Sequence, residues 1–134
     1  MARPRSIEAE IRQVAPLLAY QADPIRESVK RLGKKWALLI LRDMAFLKLD
    51  RFGQILRNNP GLTPRVLSRR LDQMEAEGLV RRVEEHAAVR YELTDRGEDA
   101  VFILLAFLRY GIKHHMGSKP GVNPRAPAAS AKSR

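Results

Sequence analysis

Four residues in the stretch Leu62–Leu79, LTPRVLSRRLDQMEAEGL, carry side chains suited to gripping or reading a nucleic acid: Thr63, Arg65, Ser68 and Arg69. An arginine donates two parallel hydrogen bonds to the O6 and N7 edge of guanine, while threonine and serine hydroxyls bond phosphates or varied base edges. Whether the four act together depends on their spacing. Leu67, Leu71 and Met74 stand at i, i+4 and i+7, which gathers them on one side of a helix and turns Arg65, Ser68, Arg69 and Asp72 to the other. The ends are punctuated: Thr63 suits the N-cap, Pro64 the first helical position and Gly78 a left-handed stop. Arg65 and Arg69 fall one turn apart near the N-terminus, where the helix dipole favours a phosphate. An ordinary amphipathic surface helix shares this pattern, so the flanking sequence has to decide between a solvated face and one presented to a DNA groove.

Other chemistry is poorly provided for. The histidines are His86 and the adjacent pair His114–His115. Neighbouring helical residues point about 100° apart and make poor joint ligands, so no metal site is expected. No separated carboxylate dyad, nucleophile–base pair or phosphate-cradling glycine loop is present, and neither an enzyme nor a cofactor is implied. The chain has no cysteine, which excludes disulfides and thiolate zinc sites.

The bulk properties narrow the partner. The chain of 134 residues suits one core, and its net charge of +10, with a pI of about 10.7, calls for a polyanionic partner or surface. No segment approaches the run of about 18 uncharged residues that a membrane span needs. The N-terminus lacks an apolar signal-like core, so a cytoplasmic protein with no membrane partner is expected.

The surrounding elements must position that helix. Residues 1–22 form an N-terminal arm, with a frayed start and a helix that Ser6 caps; Ile7, Ile11, Val14 and Leu18 recur at helical spacing, and Pro16 interrupts it. Their stripe needs cover from the domain's own core or from a second subunit. Asp23–Pro24 opens a second helix that Gly33 ends, and the segment WALLILRDMAFL after Lys34–Lys35 is apolar on nearly every side, as a central helix should be. Trp36 is expected to pack in the core rather than stack on a ligand. Asp50 is expected to cap a short helix, RFGQILRNN, and Asn58–Asn59–Pro60–Gly61 is a turn. Two helices joined by such a turn, the second basic on its outer face, form a helix-turn-helix.

Beyond Gly78 the period becomes alternating: Leu79–Val83 reads as one strand and Val89, Tyr91 and Leu93 as the inward face of another, linked by Glu84–Ala88. Such a hairpin is a wing, and residues 23–94 make up a winged helix-turn-helix domain. Lys34, Lys35, Arg51, Pro64, Arg70, Arg82 and Arg90 are the candidates for phosphate contact. Arg70 lies nearer the buried flank, where an internal ion pair is equally natural; for Arg82 and Arg90 the alternative is a solvated charge. Residues 95–116 form a last helix, its start spaced as a capping box from Asp95 to Glu98. Its Phe102, Leu105, Leu108 and Ile112, among other apolar residues, cover more than one face and call for a subunit partner. Residues 117–134, rich in Gly, Pro, Ala and Ser with basic residues and no acid, form a basic tail expected to be disordered. The fold class is mainly α with a small β-hairpin, a winged helix-turn-helix with extra N- and C-terminal dimerisation helices.

In this order of elements, the residues Pro24–Ile25, Gly33–Lys34–Lys35–Trp36, Leu38–Arg42, Arg51–Phe52, Pro60–Thr63, Leu67–Leu71, Met74–Val80, Arg82, Tyr91–Thr94 and Gly97 resemble the HxlR-type winged-helix transcriptional regulators. The similarity runs from about Asp23 to about Ile112. It implies a homodimer joined through its terminal helices, binding a palindromic operator on double-stranded DNA in the manner of a repressor, with the second helix of each helix-turn-helix in a major groove. Asp23 stands where many members carry a cysteine, so thiol sensing does not apply here. A family proline is absent from the wing and the hairpin is short, which implies limited wing contacts. No small-molecule effector is specified. Two alternatives remain open at this stage: a non-specific architectural DNA coater, and a winged helix that binds another protein through its last helix.

Overall fold

A computed structural model describes residues 6–19 and 23–117. The expectations for residues 1–5 and for the tail beyond residue 117 lie outside the described residues. The elements follow in the order α1 (Ile7–Val14), a 3-10 helix (Ala15–Ala19), α2 (Pro24–Leu32), α3 (Ala37–Phe46), α4 (Phe52–Arg57), α5 (Pro64–Ala76), β1 (Val80–Glu85), β2 (Ala88–Leu93) and α6 (Asp95–Lys113). Local chemistry sets many of these boundaries. Ser6 caps α1 by accepting from Ala9 N at 3.2 Å, and the helix tightens to 3-10 geometry around Pro16. Asp23 caps α2, its carboxylate accepting from Ile25 N at 3.0 Å and Arg26 N at 3.3 Å.

Helix α3 runs through the middle, as its all-round apolarity requires. Ile40 and Leu41 are fully buried, in a core they share with Ile55, Leu62, Leu67, Leu71, Met74, Leu79, Val80, Ala100 and Leu104. Helices α3–α6 and the start of the hairpin therefore close on one centre. Trp36 is half-buried at the edge of that core, at φ +81°, and its indole lies over Gly61 in the α4–α5 turn.

Three local expectations shift. Asp50 does not cap α4; the Gln54 side chain does, accepting from Asp50 N and Arg51 N at 3.1 Å each. The Asp50 carbonyl accepts from Tyr91 N at 2.9 Å, which ties β2 to the start of α4. The cap of α6 is Thr94 rather than Asp95: its Oγ1 accepts from Gly97 N at 3.1 Å and donates to the Gly78 carbonyl. The wing is longer than expected. Its antiparallel register runs from Val80 opposite Leu93 to Glu85 opposite Ala88, leaving only His86 and Ala87, both at positive φ, for the turn.

Candidate nucleic-acid interface

The Thr63 hydroxyl accepts from Val66 N at 3.2 Å, and Pro64 occupies the first turn of α5. Leu67, Leu71 and Met74 are buried, each contributing about 1.5–3 kcal/mol as an apolar side chain taken out of water. Their burial fixes the rotation of the helix about its axis. Arg65, Ser68 and Arg69 accordingly point outward and are exposed. None of the three side chains has a hydrogen-bond or ion-pair partner among the described residues, so their donors are open to a ligand. Gly78 terminates the ridge at φ +80°.

Sequence reasoning missed what anchors the start of the α4–α5 turn. Asp43, in the apolar helix α3, is fully buried and holds the two asparagines that follow α4. Its Oδ1 accepts from Arg42 Nε at 2.9 Å and Asn58 Nδ2 at 3.0 Å, and its Oδ2 from Asn59 Nδ2 at 2.6 Å. Asn59 also donates to the Ile55 carbonyl at 2.8 Å and accepts from Arg42 Nη2 at 3.1 Å. A buried charge survives only when paired and bonded in this way. The signal available was an acid beside an arginine inside an apolar helix, followed by a pair of asparagines.

The phosphate candidates divide into three sets. Lys34 and Lys35 are exposed, and Lys35 Nζ lies 5.4 Å from the Trp36 ring centroid. Because Trp36 sits over Gly61, this basic pair adjoins the helix-turn-helix turn. Pro64, at the open end of α5, is also exposed. Arg51 and Arg70 are engaged locally. Arg51 Nη1 donates to the Val89 carbonyl at 3.4 Å, joining α4 to the wing. Arg70 is half-buried and donates to Gln73 rather than to a carboxylate, with its Nε buried and unbonded.

The wing arginines form the third set, and they are held by glutamates of the same hairpin. Arg82 pairs with Glu84; Arg90 pairs with Glu92 at 2.5 Å and Glu85 at 3.4 Å; Arg81 pairs with Glu92 at 3.0 Å. The bond to Glu84, then that to Tyr91, raises the Arg82 pKa above its usual value, and bonds to Glu92 and Glu85 raise that of Arg90. Arg90, followed by Arg81, holds the Glu92 carboxyl below the ordinary carboxylate range. Three arginines against three glutamates leave the ribbon without net charge apart from His86. The dimer candidates fall on open surface: Ile7, Ile11, Val14, Leu18, Phe102, Leu108 and Ile112 are exposed, and Leu105 is half-buried. No described helix is long and apolar enough to cross a membrane.

Residues 31–119 match the family model described as HxlR-like helix-turn-helix. The chain is 36% identical over 91 residues to an uncharacterized HTH-type transcriptional regulator of Synechocystis, covering 66% of this chain and 67% of that protein. Among solved structures, a possible HxlR family transcriptional factor from Thermoplasma volcanium superposes with a TM-score of 0.56 at 30% identity, over 61% of this chain and 75% of that one. The reduced form of the redox regulator HypR gives a TM-score of 0.63 at 28% identity, over 69% of this chain and 93% of that one. The match spans the central helix, the helix-turn-helix, the wing and the last helix, and the chain belongs to the HxlR-like helix-turn-helix family.

Proposed function

We propose that the protein is a sequence-specific regulator that represses transcription by occupying a palindromic operator on double-stranded DNA as a homodimer. The observation that carries this reading is the open donor face of α5. Arg65 and Arg69 are exposed and free of partners among the described residues, on a helix whose other face is locked into the core. Arginine in that position bonds guanine bidentately in the major groove, with Thr63 and Ser68 beside it for phosphates or neighbouring bases. Lys34 and Lys35 hold the backbone next to the turn, with Pro64 at the helix mouth. Arg51, Arg70, Arg82 and Arg90, engaged within the domain, contribute less.

The homodimer is supported by the apolar residues left open on α1, α2 and α6, including Val29 and Phe102 at 60% and 70% exposure. A two-fold pair would present two α5 helices about 34–36 Å apart, one turn of duplex. Acting on chromosomal DNA, the protein would work in the cytoplasm. Selection of bound sequences from a random duplex pool tests the reading. The expected result is an enriched inverted repeat with half-sites about 10–10.5 base pairs apart. A pool that stays random after selection would instead indicate non-specific coating, and no retention of duplex at all would point to a protein partner.

A further inference from the structure

A cavity of about 190 Å³ opens between α2, the first turns of α6 and the link from α5 to β1. On α6, Arg96, Asp99, Ala100 and Ile103 stand at i, i+3, i+4 and i+7, so one face of the helix supplies charged and apolar lining together. Across from it α2 presents Ser28, Arg31 and Leu32 at i, i+3 and i+4. Leu79 and Ala100 are buried and Leu32 is half-buried, so much of the apolar lining is already out of water. The volume is below the range of drug-sized sites and suits an apolar group of a few carbons.

The charged lining divides into groups that satisfy each other and groups that do not. Arg31 is engaged by Glu27 at 2.7 Å and by Glu77 at 3.2 Å. Arg96 donates once, from Nη1 to the Glu77 carbonyl at 3.1 Å, and no carboxylate pairs with it among the described residues. Asp99, on the same face of α6, is exposed and has no hydrogen-bond or ion-pair partner among the described residues. Two arginines against Glu77 and Asp99 leave the lining neutral, so a ligand with a net charge meets as much repulsion as attraction. A zwitterion answers both open groups: its carboxylate takes the guanidinium fork of Arg96, and its ammonium donates to Asp99.

We infer that this cavity binds an apolar α-amino acid, whose side chain lies against Leu32, Leu79, Ala100 and Ile103. The occupant bridges α2 and α6 beside Glu77, the residue that ends α5. The site lies about 18 Å along α5 from Arg65, so it is separate from the base-reading face and its occupancy is read without DNA. Isothermal titration of the full-length protein with L-leucine tests the inference. Isocaproate lacks the ammonium of leucine, isoamylamine lacks the carboxylate, and L-serine lacks the apolar group. Saturable binding of leucine is expected, with each of the other three at least about tenfold weaker, as loss of a charged hydrogen bond or of apolar burial requires. Asp99→Asn is expected to weaken leucine by a similar factor and to leave isocaproate unchanged, whereas Arg96→Gln weakens both. Both positions are exposed, and melting curves of the variants report that the fold is kept. Absence of saturable leucine binding, isocaproate binding as tight as leucine, or a leucine affinity that ignores Asp99→Asn in a folded variant overturns the inference. Each of these outcomes leaves the proposed DNA reading standing, because none of the measurements involves a duplex.

Discussion

Replacing Asp43 with alanine would strand the Asn58 and Asn59 amides and the Arg42 guanidinium beside an empty buried site. Removing one partner of a buried charged network costs about 3–5 kcal/mol, so Asp43→Ala should lower the unfolding free energy by that amount in a urea titration. A loss under about 1 kcal/mol, the range of an exposed pair, would show that the network does not hold the turn. The caps Thr63 and Asp23 and the stop at Gly78 were legible in the sequence because their chemistry acts within three or four residues. Asp43 was not, because its asparagine partners lie 15 and 16 residues downstream and meet it only once the helices pack. The wing arginines were legible as charges but not as pairs. Their partners are set by strand register, which places Arg81 opposite Glu92.

At the scale of elements, the positions of α5 and the wing depend on how α6 joins them. Gly97 lies so close to β1 that a Cβ there would stand 2.1 Å from the Leu79 carbonyl oxygen, which already accepts from Thr94 N at 3.1 Å. Gly97→Ala should therefore destabilise the fold by about 1–3 kcal/mol, read as a lowered melting temperature. Gly111, also in α6, meets only the Met116 Cβ at 4.0 Å, so Gly111→Ala should not share that penalty. Equal losses at both sites would show that the close approach to Leu79 does not set the effect, since helix propensity favours alanine at both positions. In both misplaced caps a different side chain takes the amides. Asp95 and Glu98 have the spacing of a capping box, but Thr94 Oγ1, which also donates to the Gly78 carbonyl, accepts from Gly97 N and starts the helix one residue earlier. At α4 the Gln54 side chain accepts from the Asp50 and Arg51 amides, and the Asp50 carbonyl accepts from Tyr91 N in the wing. Helix order, the central α3 and the hairpin were all readable from periodicity, whereas these junctions depend on contacts between elements.

For the whole molecule, a net charge of +10 implies DNA affinity that falls with salt, and the exposed Lys34 and Lys35 are proposed to carry part of that dependence. Lys34→Ala and Lys35→Ala should each reduce the slope of log affinity against log salt by about one. The charge-neutral pair Arg82→Ala with Glu84→Ala should leave it unchanged, since the wing carries no free cation for a phosphate. A comparable drop from the wing pair would restore the hairpin as a backbone clamp. The central claim concerns base reading, and it is tested most directly by fluorescence anisotropy with the double variant Arg65→Ala, Arg69→Ala. Its affinity is measured for the duplex enriched from a random pool and for a scrambled duplex of equal length. Loss of about 1–3 kcal/mol of preference per arginine is predicted, with salt-dependent binding to the scrambled duplex retained and an unchanged melting curve. A folded double variant that still prefers the enriched duplex as strongly as the parent protein does would contradict the account.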